Sequence, residues 1–243
     1  MIVLLPTYAR PHLFARICAD LRRELTSRDA LVVLDDASPD AYAGDVLAAS
    51  GLTEHVECTL LRAPENRGRI GYWRTVGALL DAAFELRRPG AELVAYLADD
   101  LRLADGWRQR AAEETTRVSR YPGCIGLHAH RDGRTREWGL PGGDDVDGQG
   151  EHMAWQDGVW VTRARWLESL RPEEVNRDWV RYPHLGSGAW RSSSYRTHAA
   201  GLWWFRPRET LCWHDDQGAS VMNPQATASE GARKRRRVCT VTP

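Results

Sequence analysis

Two aliphatic runs in this chain each stop at a pair of aspartates, and that pattern constrains the fold more than any other feature. Ala30 to Leu34 runs into Asp35-Asp36, and Leu93 to Leu97 runs through Ala98 into Asp99-Asp100. Ile2 to Leu5, closed by Pro6-Thr7, and Val56 to Leu61 read as two further strands. Between the strands the period becomes helical. His12 to Leu25 carries Leu13, Ile17 and Leu21, with Phe14, Cys18 and Leu25 alongside. Ile70 to Leu86 repeats the pattern with Val76, Leu79, Leu80 and Phe84, and Trp107 to Val118 reads as a helix with a charged face. Strands alternating with helices predict an α/β fold on a parallel sheet, with ligands beyond the carboxyl ends of the strands. Thr7, Asp36 and Asp100 all fall at such ends.

The second half is less regular. Cys124 to His130 and Thr135 to Leu140 are strand-like, and the Asp132-Gly133 between them is a hairpin signal. Residues 141–150 form a Gly/Asp loop, read either as an acceptor lid or as simple disorder. Trp155 to Thr162 and Leu202 to Phe205 read as strands, Ala164 to Leu170 as a short helix, and Trp190 to Ala199 as a possible helix. One of Trp203 and Trp204 must face the core, because neighbours on a strand point to opposite faces. His128 and His130 share a strand face, and with Cys124 they make an irregular set better read as structural than as a metal site. Arg191 to Ser194 is open between a phosphate contact and an ordinary polar segment.

Composition narrows the class. The 243 residues balance 33 basic against 33 acidic side chains. A chain of this length can bury a full core. The apolar runs fall short of the roughly 18 residues of a membrane span. The opening MIVLLPTYAR lacks the basic start of a signal peptide. Cys18, Cys58, Cys124, Cys212 and Cys239 are scattered, without a CxxC pair, which points to a reducing, cytoplasmic setting. Lys234 is the only lysine. So strong a preference for arginine reflects either base composition or many forked contacts to phosphate.

Carboxylates at neighbouring strand ends crowd like charges at one rim, which is costly unless they bind something. A divalent cation carrying a phosphate ligand relieves that cost. Hard oxygen ligands such as Asp100, with most of the shell left to water and phosphate, suit Mn2+ or Mg2+. The competing account is that each aspartate caps the helix after its strand.

Four segments, Ile2-Val-Leu-Leu-Pro-Thr-Tyr-Ala-Arg-Pro11, Val32-Val-Leu-Asp-Asp-Ala-Ser-Pro-Asp40, Glu65-Asn-Arg-Gly68 and Tyr96-Leu-Ala-Asp-Asp100, occur in an order and spacing that resemble the nucleotide-binding half of family 2 glycosyltransferases. A fifth, Pro207 to His214 followed by Gly218 and Ser220, is similar to the segment that supplies a further metal ligand in many members. The resemblance implies a GT-A fold, Rossmann-like, with a mixed, mainly parallel central sheet. Residues 1–118 would be the nucleotide-sugar half, 119–223 the acceptor half of the same domain, and 224–243 a flexible basic tail. It further implies that Pro6, Thr7 and Tyr8 line the base pocket with Tyr8 stacking. Arg10, Arg67 and Arg69 would lie near the nucleotide. Asp36 would accept a hydrogen bond from the base, Asp99 would contact the ribose, and Asp100 with His214 would hold the metal. The usual Asp-x-Asp reads Ala98-Asp99-Asp100 here. The catalytic base of inverting members has no clean match, which leaves Asp157, Asp178 and His184 as alternatives.

The expected activity is therefore hexosyl or pentosyl transfer, with inversion, from a nucleotide-sugar (a UDP-sugar by preference) to an acceptor hydroxyl. Anchors and interfacial helices are not evident, and the basic cluster Arg233, Lys234, Arg235, Arg236 and Arg237 suits a phosphate backbone. Nine of the 11 tryptophans lie from Trp138 onward, where aromatic rings could hold an extruded base. The combination is similar to phage enzymes that glycosylate hydroxymethylated DNA bases, including the TET-associated glycosyltransferases. Double-stranded DNA is thus the expected acceptor. The alternatives are a glycan, protein or small-molecule acceptor, a nucleotidyltransferase lacking its glycine-rich signature, and an inactive nucleotide- or nucleic-acid-binding module.

Overall fold

The computed structural model describes residues 1–86, 92–119, 123–127, 152–153, 159–172, 197 and 200–214. In chain order they form β1 (Ile2–Thr7), α1 (Pro11–Glu24), β2 (Ala30–Asp35), α2 (Ala43–Ala49), β3 (Glu57–Arg62), α3 (Gly68–Glu85), β4 (Leu93–Tyr96), β5 (Leu101–Leu103), α4 (Trp107–Arg117), β6 (Gly123–Gly126), β7 (His152–Met153), β8 (Trp160–Arg163), α5 (Leu167–Leu170), β9 (Trp203–Phe205) and β10 (Cys212–His214). Among the described residues eight strands make one sheet, in the order β3-β2-β1-β4-β8-β6-β9-β7. β8 and β7 run against the rest, so the sheet is mixed and mainly parallel.

The strand alternation sorts the core into two faces. Val3, Leu5, Leu31, Val33, Ala95 and Val161 pack on α1, α2 and α4 through Phe14, Ile17, Leu21, Leu47, Trp107 and Ala111. Ile2, Leu4, Val32, Leu34, Val94, Tyr96 and Trp160 pack on α3 and α5 through Val76, Leu79, Leu80, Leu167 and Leu170. β1 and β2 are buried along their whole length, as befits parallel strands covered on both faces. Pro11 begins α1, where its missing N–H costs nothing, and Arg22 and Arg23 sit in its last turn, where the helix dipole favours cations.

The sheet carries on without a break from the first half into the second. β8 pairs antiparallel with β4, placing Trp160 opposite Tyr96, and the two rings stack 5.6 Å apart. β6 then lies so close to β9 that a Cβ on Gly123 would sit 2.1 Å from the carbonyl oxygen of Trp203, so only glycine fits there. Trp204 is buried and Trp203 only partly so, as the alternation requires. Trp160 and Trp204 are core residues, which takes both out of the set of tryptophans expected to face an acceptor.

The small sheet of β5 and β10 was not expected from the sequence. β5 begins immediately after Asp100 and pairs antiparallel with β10, setting His214 opposite Leu101. Asp20, buried on α1, fixes β5 from behind by accepting from Arg102 Nε at 2.9 Å and from the Leu103 amide at 3.0 Å. The stretch expected to be a helix from Ala164 to Leu170 is a 3-10 turn, Ala164–Trp166, leading into α5. The 131–134 hairpin, the 135–140 strand, the 141–150 loop, nearly all of 190–199 and the tail from 224 lie outside the described residues.

A buried carboxylate at the opposite end of the sheet makes the fold acid-sensitive. Asp29 accepts from the Thr26 amide at 2.8 Å, Thr26 Oγ1 at 2.9 Å, Arg108 Nη2 at 2.8 Å and the Met1 amino group at 2.8 Å. Burial alone would raise its pKa, but these donors outweigh burial and hold the carboxyl at about 2. A pKa lowered by folding adds stability above the unfolded value of roughly 4, and that stability disappears as pH falls toward the folded value. Asp29→Asn is expected to cost about 2 kcal/mol at pH 6 and progressively less toward pH 2. Urea denaturation of both proteins across that range checks it; a pH-independent difference would refute it.

Candidate functional site

The chain order of the sheet creates one natural crevice. From β1 the chain moves outward through β2 to β3, and the helix α3 then carries it back to β4 on the other side of β1. Ligands of open α/β sheets bind at such a reversal, outside the carboxyl ends of the strands. Thr7 ends β1, Asp36 follows β2, and Asp99 and Asp100 follow β4, so three of the expected segments meet at this rim.

Thr7 closes the crevice from below. Its hydroxyl donates to Asp99 Oδ2 at 2.8 Å and lies 2.7 Å from the Tyr42 hydroxyl, which accepts from the Arg10 amide at 3.2 Å. Each hydroxyl has one proton, so the Arg10 amide donates to Tyr42, Tyr42 to Thr7, and Thr7 to the Asp99 carboxylate. Arg10, at the start of α1, spreads its guanidinium over both aspartates. Nη1 donates to Asp100 Oδ2 at 3.1 Å, and Nη2 pairs with Asp99 Oδ1. Burial works against its charge, yet Asp99 and Asp100 together hold its pKa above the ordinary arginine value. On the outer side His214 Nδ1 stands 3.4 Å from Asp100 Oδ1.

The two neighbouring carboxylates are pushed in opposite directions. Burial raises Asp99, with the charge of Asp100 adding to it and Arg10 opposing. Burial also acts on Asp100, but His214 and Arg10 overcome it and hold the group well below the usual carboxylate range. Asp100 is therefore the ionised, outward-facing member of the pair. Beneath it, the Tyr72 hydroxyl from α3 bonds the Tyr96 hydroxyl at 2.8 Å, and burial raises the pKa of both phenols.

Within the protein, Asp36 is held by partners on and just before α3. Oδ2 accepts from Asn66 Nδ2 at 3.1 Å and from the Arg67 amide at 3.2 Å, and Oδ1 accepts from Thr75 Oγ1 at 3.3 Å. Burial raises its pKa, against the opposing amides of Arg67 and Gly68. It thus caps α3, three elements after its own strand, and not the α2 that follows that strand directly. Asp35 closes the adjacent turn by accepting from the Ser38 amide at 2.9 Å, and it pairs with Arg62 Nη1 at 3.0 Å. Asp99 and Asp100 cap no helix at all. Both rim turns carry a non-glycine residue in the left-handed region, Ala9 at φ 51° and Ala37 at φ 59°, a conformation that costs roughly 1–2 kcal/mol each.

Pro6, Thr7, Tyr8, Arg10, Asp36, Arg67, Asp99, Asp100 and His214 all lie on this rim or in the turns that form it. Arg69 is the second residue of α3. Asp157, Asp178, His184 and residues 233–237 lie outside the described residues. Tyr42, Tyr72 and Thr75 were missed by sequence reasoning. Thr75 had a signal, a polar residue on the apolar stripe of α3 beside Val76 and Leu79. Tyr42 had none, because α2 itself was not expected.

The donor set suits a hard divalent cation. Asp100 Oδ1 is shut off from solvent without a well-formed hydrogen bond, and the His214 ring nitrogen faces it. Among the described residues no group of three or more metal-binding side chains gathers at one point. A cation held by Asp100 and His214 would therefore keep most of its shell for water and phosphate, the preference of Mg2+ and Mn2+.

This fold is that of GT-A glycosyltransferases. Solved structures with the same architecture include S. aureus TarS (residues 1–349), at a TM-score of 0.59 and 13% identity over 88% of this chain. The mannosyltransferase PcManGT from Pyrobaculum calidifontis, in complex with GDP-Man and Mn2+, aligns at 0.57 and 17% identity over 89%. Glucosyl-3-phosphoglycerate synthase from Mycobacterium tuberculosis, with Mg2+ and uridine diphosphate, aligns at 0.53 and 13% identity over 89%. The match covers 59% of that TarS chain, 57% of PcManGT and 72% of the mycobacterial synthase. No protein-family model matches the sequence, and no curated protein matches it significantly. Among the described residues no helix is long and apolar enough to cross a membrane.

Proposed function

We propose that this chain is a metal-assisted, inverting glycosyltransferase that draws a hexosyl or pentosyl unit from a nucleotide-sugar, a UDP-sugar by preference. The observation that carries the reading is the Asp99–Asp100 pair at the sheet's reversal point, bridged by Arg10 and faced by His214. TarS with uridine diphosphate and PcManGT with GDP-Man and Mn2+ share the fold, which supports a nucleotide and a cation at this rim.

In this reading Tyr8 offers a half-buried ring to the base, and Thr7 and Tyr42 hold Asp99 in place beside the ribose. Asp36 fixes the first turn of α3, and with it Arg67 beside the diphosphate. Asp100 and His214 would hold Mn2+ or Mg2+, which neutralises charge on the departing diphosphate. The acceptor oxygen attacks the anomeric carbon from the face opposite the diphosphate. The bond to the β-phosphate oxygen breaks with its electron pair leaving on the nucleoside diphosphate. The acceptor's proton passes to a base, Asp157 ahead of Asp178, with His184 third.

For the acceptor we favour a hydroxymethylated pyrimidine in double-stranded DNA, on the strength of the basic run Arg233 to Arg237 and the tryptophan-rich second half. With Trp160 and Trp204 in the core, the basic run bears most of that weight. A glycan, protein or small-molecule acceptor is the alternative. The absent base signature favours one further reading, a nucleotide- or nucleic-acid-binding module without turnover.

Donor consumption decides among these. UDP-, GDP- and dTDP-sugars are incubated with Mn2+ and either hydroxymethylated duplex DNA or simple sugars. The expected result is nucleoside diphosphate release that requires the modified DNA. Release with sugars alone moves the acceptor to a glycan, and Mn2+-dependent nucleotide binding without release leaves the inactive module.

A further inference from the structure

Arg10 spends its guanidinium unusually. A fork of this shape fits both oxygens of one carboxylate, yet here it is split, with Nη1 on Asp100 and Nη2 on Asp99. One branch can therefore open while the other stays. The two halves of the split are also unequal. Asp99 is 1% exposed and has Thr7 as a second partner, whereas Asp100 is 23% exposed and faces His214. The Arg10 backbone is fixed: its amide bonds Tyr42 and its carbonyl accepts from the Leu13 and Phe14 amides. Its Nε is buried with no hydrogen-bond partner, which leaves an unspent donor in the crevice. With the backbone so held, only the side chain is left to move.

We propose that Arg10 is an exchangeable counter-ion, which neutralises Asp100 in the ligand-free protein and releases it to a divalent cation as the donor's diphosphate arrives. This rests on the nucleotide-sugar reading above. A cation between Asp100 and His214 would lie within a few ångströms of Nη1, so the two positive charges cannot share Asp100 without strong repulsion. The diphosphate supplies the anion that the released Nη1 and the unspent Nε need. Cation and nucleotide then assist each other through Arg10, and by linkage the assistance is equal in both directions. The resident guanidinium makes the empty site a poor cation trap. It also stops the carboxylate pair from repelling itself before substrate binds.

The test is Mn2+ binding to the full chain, wild type, Arg10→Gln and Arg10→Lys, with and without UDP. Without UDP, Arg10→Gln is expected to bind Mn2+ about tenfold more tightly than wild type. Arg10→Lys, which keeps the charge but cannot bridge two carboxylates, should also bind more tightly. In both variants the factor by which UDP raises Mn2+ affinity should shrink by about the same amount, and UDP affinity should fall. A purely structural role for Arg10 would lower stability without tightening Mn2+. If Arg10→Gln fails to fold, Arg10→Lys carries the comparison. Equal Mn2+ affinities in wild type and Arg10→Lys, or an unchanged UDP factor, would overturn the exchange. A wild type that binds UDP with Mn2+ while the variants match it sinks this inference alone; a wild type that binds neither sinks the glycosyltransferase reading itself.

Discussion

Asp100→Ala is expected to lower turnover of the nucleotide-sugar by on the order of a thousandfold, the worth of several kcal/mol of charge stabilisation on the leaving group. The expectation follows from the division of labour within the pair. Asp99 is locked by Thr7 and Arg10 beneath the rim, whereas Asp100 turns one oxygen to Arg10 and the other toward His214. Asp100 is thus the carboxylate that can take up a cation. Its removal leaves Arg10 paired with Asp99, so the fold should survive, and a melting curve run beside the assay separates loss of chemistry from loss of structure. Mn2+-dependent UDP binding should vanish in the same variant. Full activity after the substitution would remove Asp100 from the site.

The second large effect is on stability. Trp160→Ala is expected to cost about 3–5 kcal/mol, the range for truncating a buried aromatic to alanine. For a chain of this size that lowers the melting temperature by roughly 10 °C. Trp160 is fully buried, and its ring stacks on Tyr96 across the β4–β8 pairing that joins the two halves of the sheet. Tyr96 in turn bonds Tyr72, whose phenol stands close enough to Asp99 and Asp100 to feel their charge. The cavity left by the indole should therefore loosen the floor of the donor crevice as well as the sheet. Guanidinium denaturation measures the first effect and UDP affinity the second. A loss below about 1 kcal/mol would mean that the two halves do not share this core.

The parts of the fold that were legible in the sequence are those encoded locally. Ile2 to Thr7, Ala30 to Asp35 and Leu93 to Tyr96 announce themselves as buried strands because burial on both faces demands continuous apolar runs. Their polar ends then mark the rim, so the sequence pattern alone puts Thr7, Asp36, Asp99 and Asp100 together. What stayed hidden depends on distant pairing. β5 and β10 are three residues each and have no period of their own; they exist because Asp20 and Leu101 to Leu103 hold them against α1. Tyr42 reaches Thr7 only because the chain after β2 folds back over β1. Asp36 looked like a free acceptor or a local cap, and its actual partners, Asn66, Arg67 and Thr75, lie 30 or more positions away. For Trp160 and Trp204, both core residues, the tryptophan excess could not tell, because composition counts aromatic rings without saying which face they occupy.

The capping of α3 by Asp36 has a consequence for how the crevice can hold phosphate. In many nucleotide-binding folds the bare amides at a helix N-terminus cradle the phosphate, a form of attraction carried by fixed dipoles. Here an internal carboxylate already occupies the Arg67 and Gly68 amides, so part of that cradle is filled by the protein itself. In the proposed reading, the grip on a diphosphate would come mainly from full charges, the guanidinium groups of Arg10 and Arg67 and a cation on Asp100. Attraction between full charges at a partly open rim is screened by salt far more than a buried dipole contact. Nucleotide affinity should then fall steeply with ionic strength, and the proposed donor pocket would work as an ion exchanger more than as a mould.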